Sequence, residues 1–307
     1  MTENHDATPF IEPESRPDLL VDLPCRTGEG PLWDDRRQAL FWLDIPPGRV
    51  YRYDPATGVN ALVFEHEHEV GGCTLQEDGS LLLFCSFGTI LHLDPESGSV
   101  RTVVARIDAE ADSRFNDVEA APDGSVLCGT MPTKDRRARL YRLAPDGSLT
   151  VLFDDIGLSN GIGFSPDRRT MYHSDTNTRR IYALDYDPAT GAIDNRRILI
   201  ENPAGEGFPD GMTVDREGTL WSARWDGRAL YAYTPAGQAL GRVKFPVRKV
   251  SSIAFGGPGC ATGFVTTAAS NGRDAFEGDL AGSLFSVDLG VAGVPPFRSR
   301  IAVPRDR

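Results

Sequence analysis

Apolar residues in this chain come in short runs that end at polar turn residues, and the runs recur in one order. Gly30-Pro31-Leu32-Trp33-Asp34-Asp35 leads into Ala39-Leu40-Phe41-Trp42-Leu43-Asp44, then into Val50-Tyr51-Arg52-Tyr53, and stops at Asp54-Pro55-Ala56-Thr57-Gly58. The order returns at Gly161-Ile162-Gly163-Phe164-Ser165-Pro166-Asp167, Thr170-Met171-Tyr172-His173-Ser174-Asp175 and Ile181-Tyr182-Ala183-Leu184, closing on Asp187-Pro188-Ala189-Thr190-Gly191. Further copies open at Gly72, Asp117, Gly211 and Ser252. Each copy predicts three strands, the third carrying Tyr or Leu, joined by tight turns. Asp78-Gly79, Asp123-Gly124 and Asp146-Gly147 supply the positive φ that reverses an antiparallel pair with the correct twist.

The copies start at residues 30, 72, 117, 161, 211 and 252, at intervals of 42, 45, 44, 50 and 41 residues. That spacing is the length of one propeller blade. A β-sandwich of equal strand number gives no reason for a long unit to recur six times. The fold class expected is therefore all-β, a six-bladed β-propeller. The run Asp18-Leu19-Leu20-Val21-Asp22-Leu23 belongs to no copy and is expected to pair with the last unit, removing the exposed edges of an open ring. Residues 18–307 then form one propeller domain, and the polar, proline-bearing residues 1–17 a loose arm, so that loss of residues 18–23 should cost far more stability than loss of residues 1–16.

Composition narrows the function. The 307 residues carry a formal charge of −12, which opposes a nucleic-acid surface and offers nothing to an acidic membrane. The chain has neither a signal-peptide pattern nor an apolar run long enough to span a bilayer, so the expected compartment is the cytoplasm. Cys25, Cys73, Cys85, Cys128 and Cys260 form no Cys-x-x-Cys pair, and most lie in apolar text, which predicts buried free thiols.

In a closed ring, equivalent positions of different blades face a common axis. The residues just before the six starts are Glu29, Gly71, Asn116, Asn160, Asp210 and Ser251. Two carboxylates and two carboxamides make a set of hard oxygen donors, suited to Ca²⁺, Mg²⁺ or Mn²⁺, with Zn²⁺ or Fe²⁺ still open. Taken singly, Asn160-Gly161 and Asp210-Gly211 are ordinary turn dipeptides, and Glu29 could be a solvated loop residue. Their shared phase makes them a candidate site. The expectation is a central metal site holding one divalent cation.

Gly28-Glu29-Gly30-Pro31-Leu32-Trp33, Trp42-Leu43-Asp44-Ile45, Arg114-Phe115-Asn116-Asp117, Gly129-Thr130-Met131, Ser159-Asn160-Gly161, Pro209-Asp210-Gly211-Met212 and Phe255-Gly256-Gly257 resemble the SMP-30/gluconolactonase/LRE family, in its order and at its spacing. The resemblance implies a six-bladed propeller with a divalent cation in its channel, Glu29, Asn160 and Asp210 as metal ligands, and Arg114 and Asn116 as residues that contact substrate. It implies hydrolysis of a sugar lactone. In that reaction Asp210 would hold the metal through one carboxylate oxygen and take a proton from water through the other. The partner implied is a small sugar lactone, acted on by a monomer or weak homo-oligomer. Two other readings stay open, an organophosphate or aryl-ester hydrolase with an apolar channel mouth, and a non-catalytic calcium- or small-molecule-binding propeller.

Several further features carry expectations. Arg136, Arg137 and Arg139, in the short basic segment after Met131, could meet an anionic substrate or form a solvated loop. The insertion from Ser270 to Gly282 is placed at the channel mouth. His66 and His68 alternate on one strand face, a weak metal pair, while His173 and Asp175 form either a pair near the channel or a core hydrogen bond. The chain has no Gly-x-Ser-x-Gly elbow and no phosphate-cradling glycine loop.

Overall fold

The computed structural model describes residues 16–304. It contains six four-stranded sheets, five of them built from consecutive strands. The sixth has the order Lys249–Gly256, Thr262–Ala268, Leu284–Asp288 and then Asp18–Val21, so the two ends of the chain share a blade. Asp18 stands opposite Ser286 and Val21 opposite Leu284. The closing strand is thus shorter than the Asp18–Leu23 run, and the arm expected over residues 1–17 lies almost wholly outside the described residues.

Each blade has four strands where the repeat predicts three. The outermost strand, such as Val59–Glu65 or Val100–Val104, is half exposed, and its mixed burial obscures it in the sequence. The second strands are the opposite case. Ala39–Asp44, Leu81–Cys85 and Val126–Thr130 are buried at every position, because a neighbouring blade covers each face of the sheet. Apolar runs of this kind are what two-sided burial demands. One core cluster joins Phe41, Leu43 and Val50 of the first blade to Val70, Leu75 and Leu83 of the second. All five cysteines are free and buried within such layers, as expected.

Beyond Asp288 the chain crosses the face opposite Glu29, Asn160 and Asp210. Ala292 O accepts from Arg216 N, Ser299 O from Glu77 N, and Arg300 N donates to Gly124 O, each at 2.9 Å. Arg298 pairs with Asp34 and Asp35, and Phe297 packs edge-on against Phe164. This strap touches the first-to-second strand turns of most blades and closes that end of the channel.

Candidate functional site

The innermost strands bring the site together through a shared irregularity. In all six, the pairing register slips at the residues that the repeat aligns, between Glu29 and Leu32, Val70 and Gly72, Phe115 and Val118, Asn160 and Ile162, Pro209 and Met212, and Val250 and Ser252. A bulge re-aims a side chain that regular alternation would send elsewhere. At the slip, the side-chain oxygen accepts from the next backbone N–H: Glu29 Oε2 from Gly30 at 2.9 Å and Asn160 Oδ1 from Gly161 at 3.2 Å. The Gly211 N–H acts on Asp210 in the same way. Packing also requires glycine after Asn160 and Asp210, while Gly30 after Glu29 has a φ of +52°. A Cβ on Gly161 would lie 2.5 Å from Asp210 O, and one on Gly211 2.1 Å from Ser252 Oγ.

Glu29, Arg114, Asn116, Asn160 and Asp210, the five residues singled out in the sequence, all line one open cavity of about 450 Å³. Asn116, Asn160, Asp210 and Glu29 are each 9% exposed or less. Arg114 Nη1 donates to Asn116 Oδ1 at 2.7 Å and to Phe115 O at 2.8 Å, while Asn116 Nδ2 donates to Ser159 O at 2.9 Å. Across the cavity, Asn160 Nδ2 donates to Thr176 Oγ1 at 3.1 Å, and Thr176 Oγ1 donates to Pro209 O at 2.7 Å. Ile45, Met131, Leu158, Phe208 and Trp225 make apolar upper walls. Sequence reasoning missed these walls, since four of the five lie outside the aligned phase and Phe208 stands out only by preceding Pro209-Asp210.

The electrostatics favour a cation. Burial, then the charges of Asp210 and Asp117, hold the Glu29 carboxyl well above the usual carboxylate range. Burial and Asp117 do the same to Asp210. Burial holds Arg114 below its ordinary value, and the carboxylate that most offsets this is Glu69, 3.7 Å from Nε. Two buried carboxylates and a carboxamide oxygen, with the charge of Arg114 too weak to bring either carboxyl back to its ordinary range, fit a hard divalent ion. Among the described residues no three His, Cys, Asp or Glu side chains gather as a metal group, so the set depends on Asn160.

A smaller chamber of about 140 Å³ lies further along the innermost strands, lined by Asp117, Glu119 and Cys73 and capped by Pro295, Pro296 and Phe297. Burial pushes Asp117 up to about 7 and Glu119 up to about 8. These two carboxyls were also missed. Their signal was the period-two run Asp117-Val118-Glu119 directly after Asn116.

The remaining expectations divide. Arg136 and Arg139 clamp the fully buried Glu110, at 2.5 and 3.3 Å, while Lys134, Asp135 and Arg137 stay exposed, so the segment is part solvated and part pinned, and none of the three arginines lines the cavity. His66 and His68 follow the strand that ends at Glu65, so they share no strand face. Their rings meet edge-on, 5.6 Å apart, which is a contact between loop residues. Buried His173 has a core hydrogen bond, with Nε2 2.9 Å from Ser159 Oγ, while Asp175 accepts the Gly157 and Leu158 amides. The insertion lines a neighbouring recess through Ser270, Asn271, Arg273 and Glu277, sharing Trp225 with the cavity. Glu277 holds Arg248 and Lys249, which in turn hold Asp226 on the cavity wall.

Residues 27–269 match the SMP-30/Gluconolactonase/LRE-like region. The chain belongs to that family. It is 43% identical over 288 residues to pentonolactonase XacC of Haloferax volcanii, covering 92% of this chain and 97% of that protein. It is 35% identical to regucalcin of Xenopus laevis over 91% of this chain and 96% of the relative. Among solved structures, a regucalcin of Agrobacterium tumefaciens described as a calcium-binding protein superposes with a TM-score of 0.84 at 26% identity, covering 92% of this chain and 97% of the other.

Proposed function

We propose that this protein hydrolyses a sugar lactone to the aldonic acid, with a divalent cation held by Glu29, Asn160 and Asp210. The observation that carries the reading is the convergence of those three side chains with the Arg114–Asn116 pair in one cavity. The relative named a pentonolactonase supports the reaction class, and the one described as calcium-binding supports Ca²⁺ as the ion.

The cation, when bound, would polarise the lactone carbonyl and lower the pKa of water beside it. Asp210 accepts a proton from the attacking water, whose oxygen bonds to the acyl carbon. The ring C–O bond then breaks, its oxygen takes that proton back from Asp210 and leaves as a hydroxyl, and the acid product ionises. Arg114 positions the substrate: its two bonds to Phe115 O and Asn116 Oδ1 use Nη1 alone, leaving other N–H groups for sugar hydroxyls or the acyl oxygen. The apolar walls exclude water above the ring.

A pH-indicator assay on chelated protein tests this, with single cations restored against glucono-, galactono-, xylono- and arabinono-lactones. Cation-dependent opening that vanishes in Asp210→Ala is expected. If no lactone opens faster than in buffer while a cation still binds, the non-catalytic binding propeller replaces this reading. The apolar walls favour one competitor, an aryl-ester or organophosphate hydrolase, which the same assay separates by preference for an aryl acetate over every lactone.

A further inference from the structure

Asn160 can serve a cation only through Oδ1, because its Nδ2 carries two protons and no lone pair available to a metal. The two ends of a carboxamide have nearly the same shape, so its hydrogen-bond partners decide which end faces the ion. Thr176 makes that decision through a one-way chain. Pro209 O can only accept, and it takes the single hydroxyl proton of Thr176 at 2.7 Å. Thr176 Oγ1 is then left as an acceptor towards Asn160, at 3.1 Å, and only the NH₂ end can answer it. The Asn160 oxygen is thereby turned to the Gly161 N–H, the same relation that Glu29 Oε2 has to the Gly30 N–H. The two oxygens therefore occupy equivalent places on equivalent bulges. Thr176 also ties the Asn160 blade to the backbone immediately before Asp210, so one hydroxyl bears on two of the three ligands.

We infer that Thr176 is the positioning residue that presents Asn160 Oδ1 to the cation. The inference rests on the cation site proposed above and concerns affinity for the ion, whatever reaction follows. Its position explains the requirement. Thr176 opens the turn after Thr170–Asp175, held by its own N–H to Leu158 O at 3.1 Å, and its side chain lines the cavity. Valine there keeps the shape and removes the hydroxyl. Asn160 Nδ2 and Pro209 O then lose their shared partner, and the two amide orientations become closer in energy.

The test titrates chelated full-length protein with Mn²⁺ and Ca²⁺ by calorimetry and records the thermal midpoint of the cation-free forms. Thr176→Val should lose about 10- to 100-fold in affinity, the usual cost of removing a group that orients a ligand, and Thr176→Ser should stay close to wild type. In an Asn160→Asp background both side-chain oxygens are equivalent, so Thr176→Val should there cost little. That pattern separates orientation from a general loosening of the turn, which would appear in both backgrounds, and it remains readable if Thr176→Val alone folds poorly. Equal affinity of wild type and Thr176→Val, or equal losses in both backgrounds, overturns the inference and leaves the cation site standing. Absence of cation binding by the wild type would remove the site itself, and the role of Thr176 with it.

Discussion

Arg114 Nη1 donates to Asn116 Oδ1 at 2.7 Å, and Asn116 in turn donates to the carbonyl of Ser159, at the start of the next blade. The guanidinium and carboxamide are therefore one unit held from behind. Arg114→Met and Asn116→Ala should each lower kcat/KM for a lactone by about 10- to 100-fold, the worth of a hydrogen bond to a charged group. The double variant should lose little more than the worse single one, because members of one network are not additive. Steady-state kinetics on the three variants check this, and additive losses would mean that the two residues act separately.

Removing negative charge from the ligand set should stabilise the cation-free protein. Burial and neighbouring carboxylates raise both Glu29 and Asp210, so each contributes stability at low pH that is lost as pH rises through its raised folded value. Glu29→Gln should raise the thermal midpoint in chelator more at about pH 8 than at about pH 5, and should weaken the stabilisation by added Ca²⁺. Melts at both pH values, with and without the ion, give the answer. A lower midpoint for Glu29→Gln at the higher pH would contradict the electrostatic account.

His173 sets an acid limit. Burial lowers it from an ordinary 6.5 to about 4. The unfolded chain therefore takes up this proton first, and stability present above the unfolded value falls as pH drops towards the folded one. The loss from this group can reach about 3 kcal/mol. His173→Gln keeps a polar partner for Ser159 Oγ without the titration, and should make the fall in thermal midpoint between about pH 6.5 and 4 shallower. An unchanged slope would assign the acid limit to other groups.

The strap beneath the ring should matter for stability and little for chemistry. Arg298 meets fully buried Asp34 at 2.8 Å, and although burial alone would raise that carboxyl, Arg37 and Arg298 hold it below its ordinary value. Arg298→Ala leaves Arg37 as the remaining ion-pair partner in contact with Asp34. Because Arg37 still compensates the charge, it should cost about 2 kcal/mol in denaturant unfolding, the worth of a hydrogen bond to a charged group and less than breaking a buried pair outright, with kcat for the lactone unchanged. A fall in kcat without loss of stability would instead connect the strap to the site.

The sequence by itself determined the ring and the membership of the site. A repeat of blade length forces closure, closure turns one repeat phase into one axis, and the residue types at that phase carry the chemistry, so Glu29, Asn160, Asp210 and Asn116 were legible as a set. The resemblance to the family added Arg114. Tertiary structure decided what depends on contacts between units. The fourth strands lacked a clear pattern because one of their faces is wet. The arginines after Met131 read as free charge until Glu110, more than twenty residues earlier, was placed beneath two of them. Asp117 is itself one of the starts and Glu119 stands two residues on, yet only the packed channel shows them below the cavity, in a chamber that the strap closes. The orientation of Asn160 is the finest case. It is set by a hydroxyl sixteen residues away and a carbonyl in the next blade, and local sequence does not encode a hydrogen bond that exists only after two blades have packed.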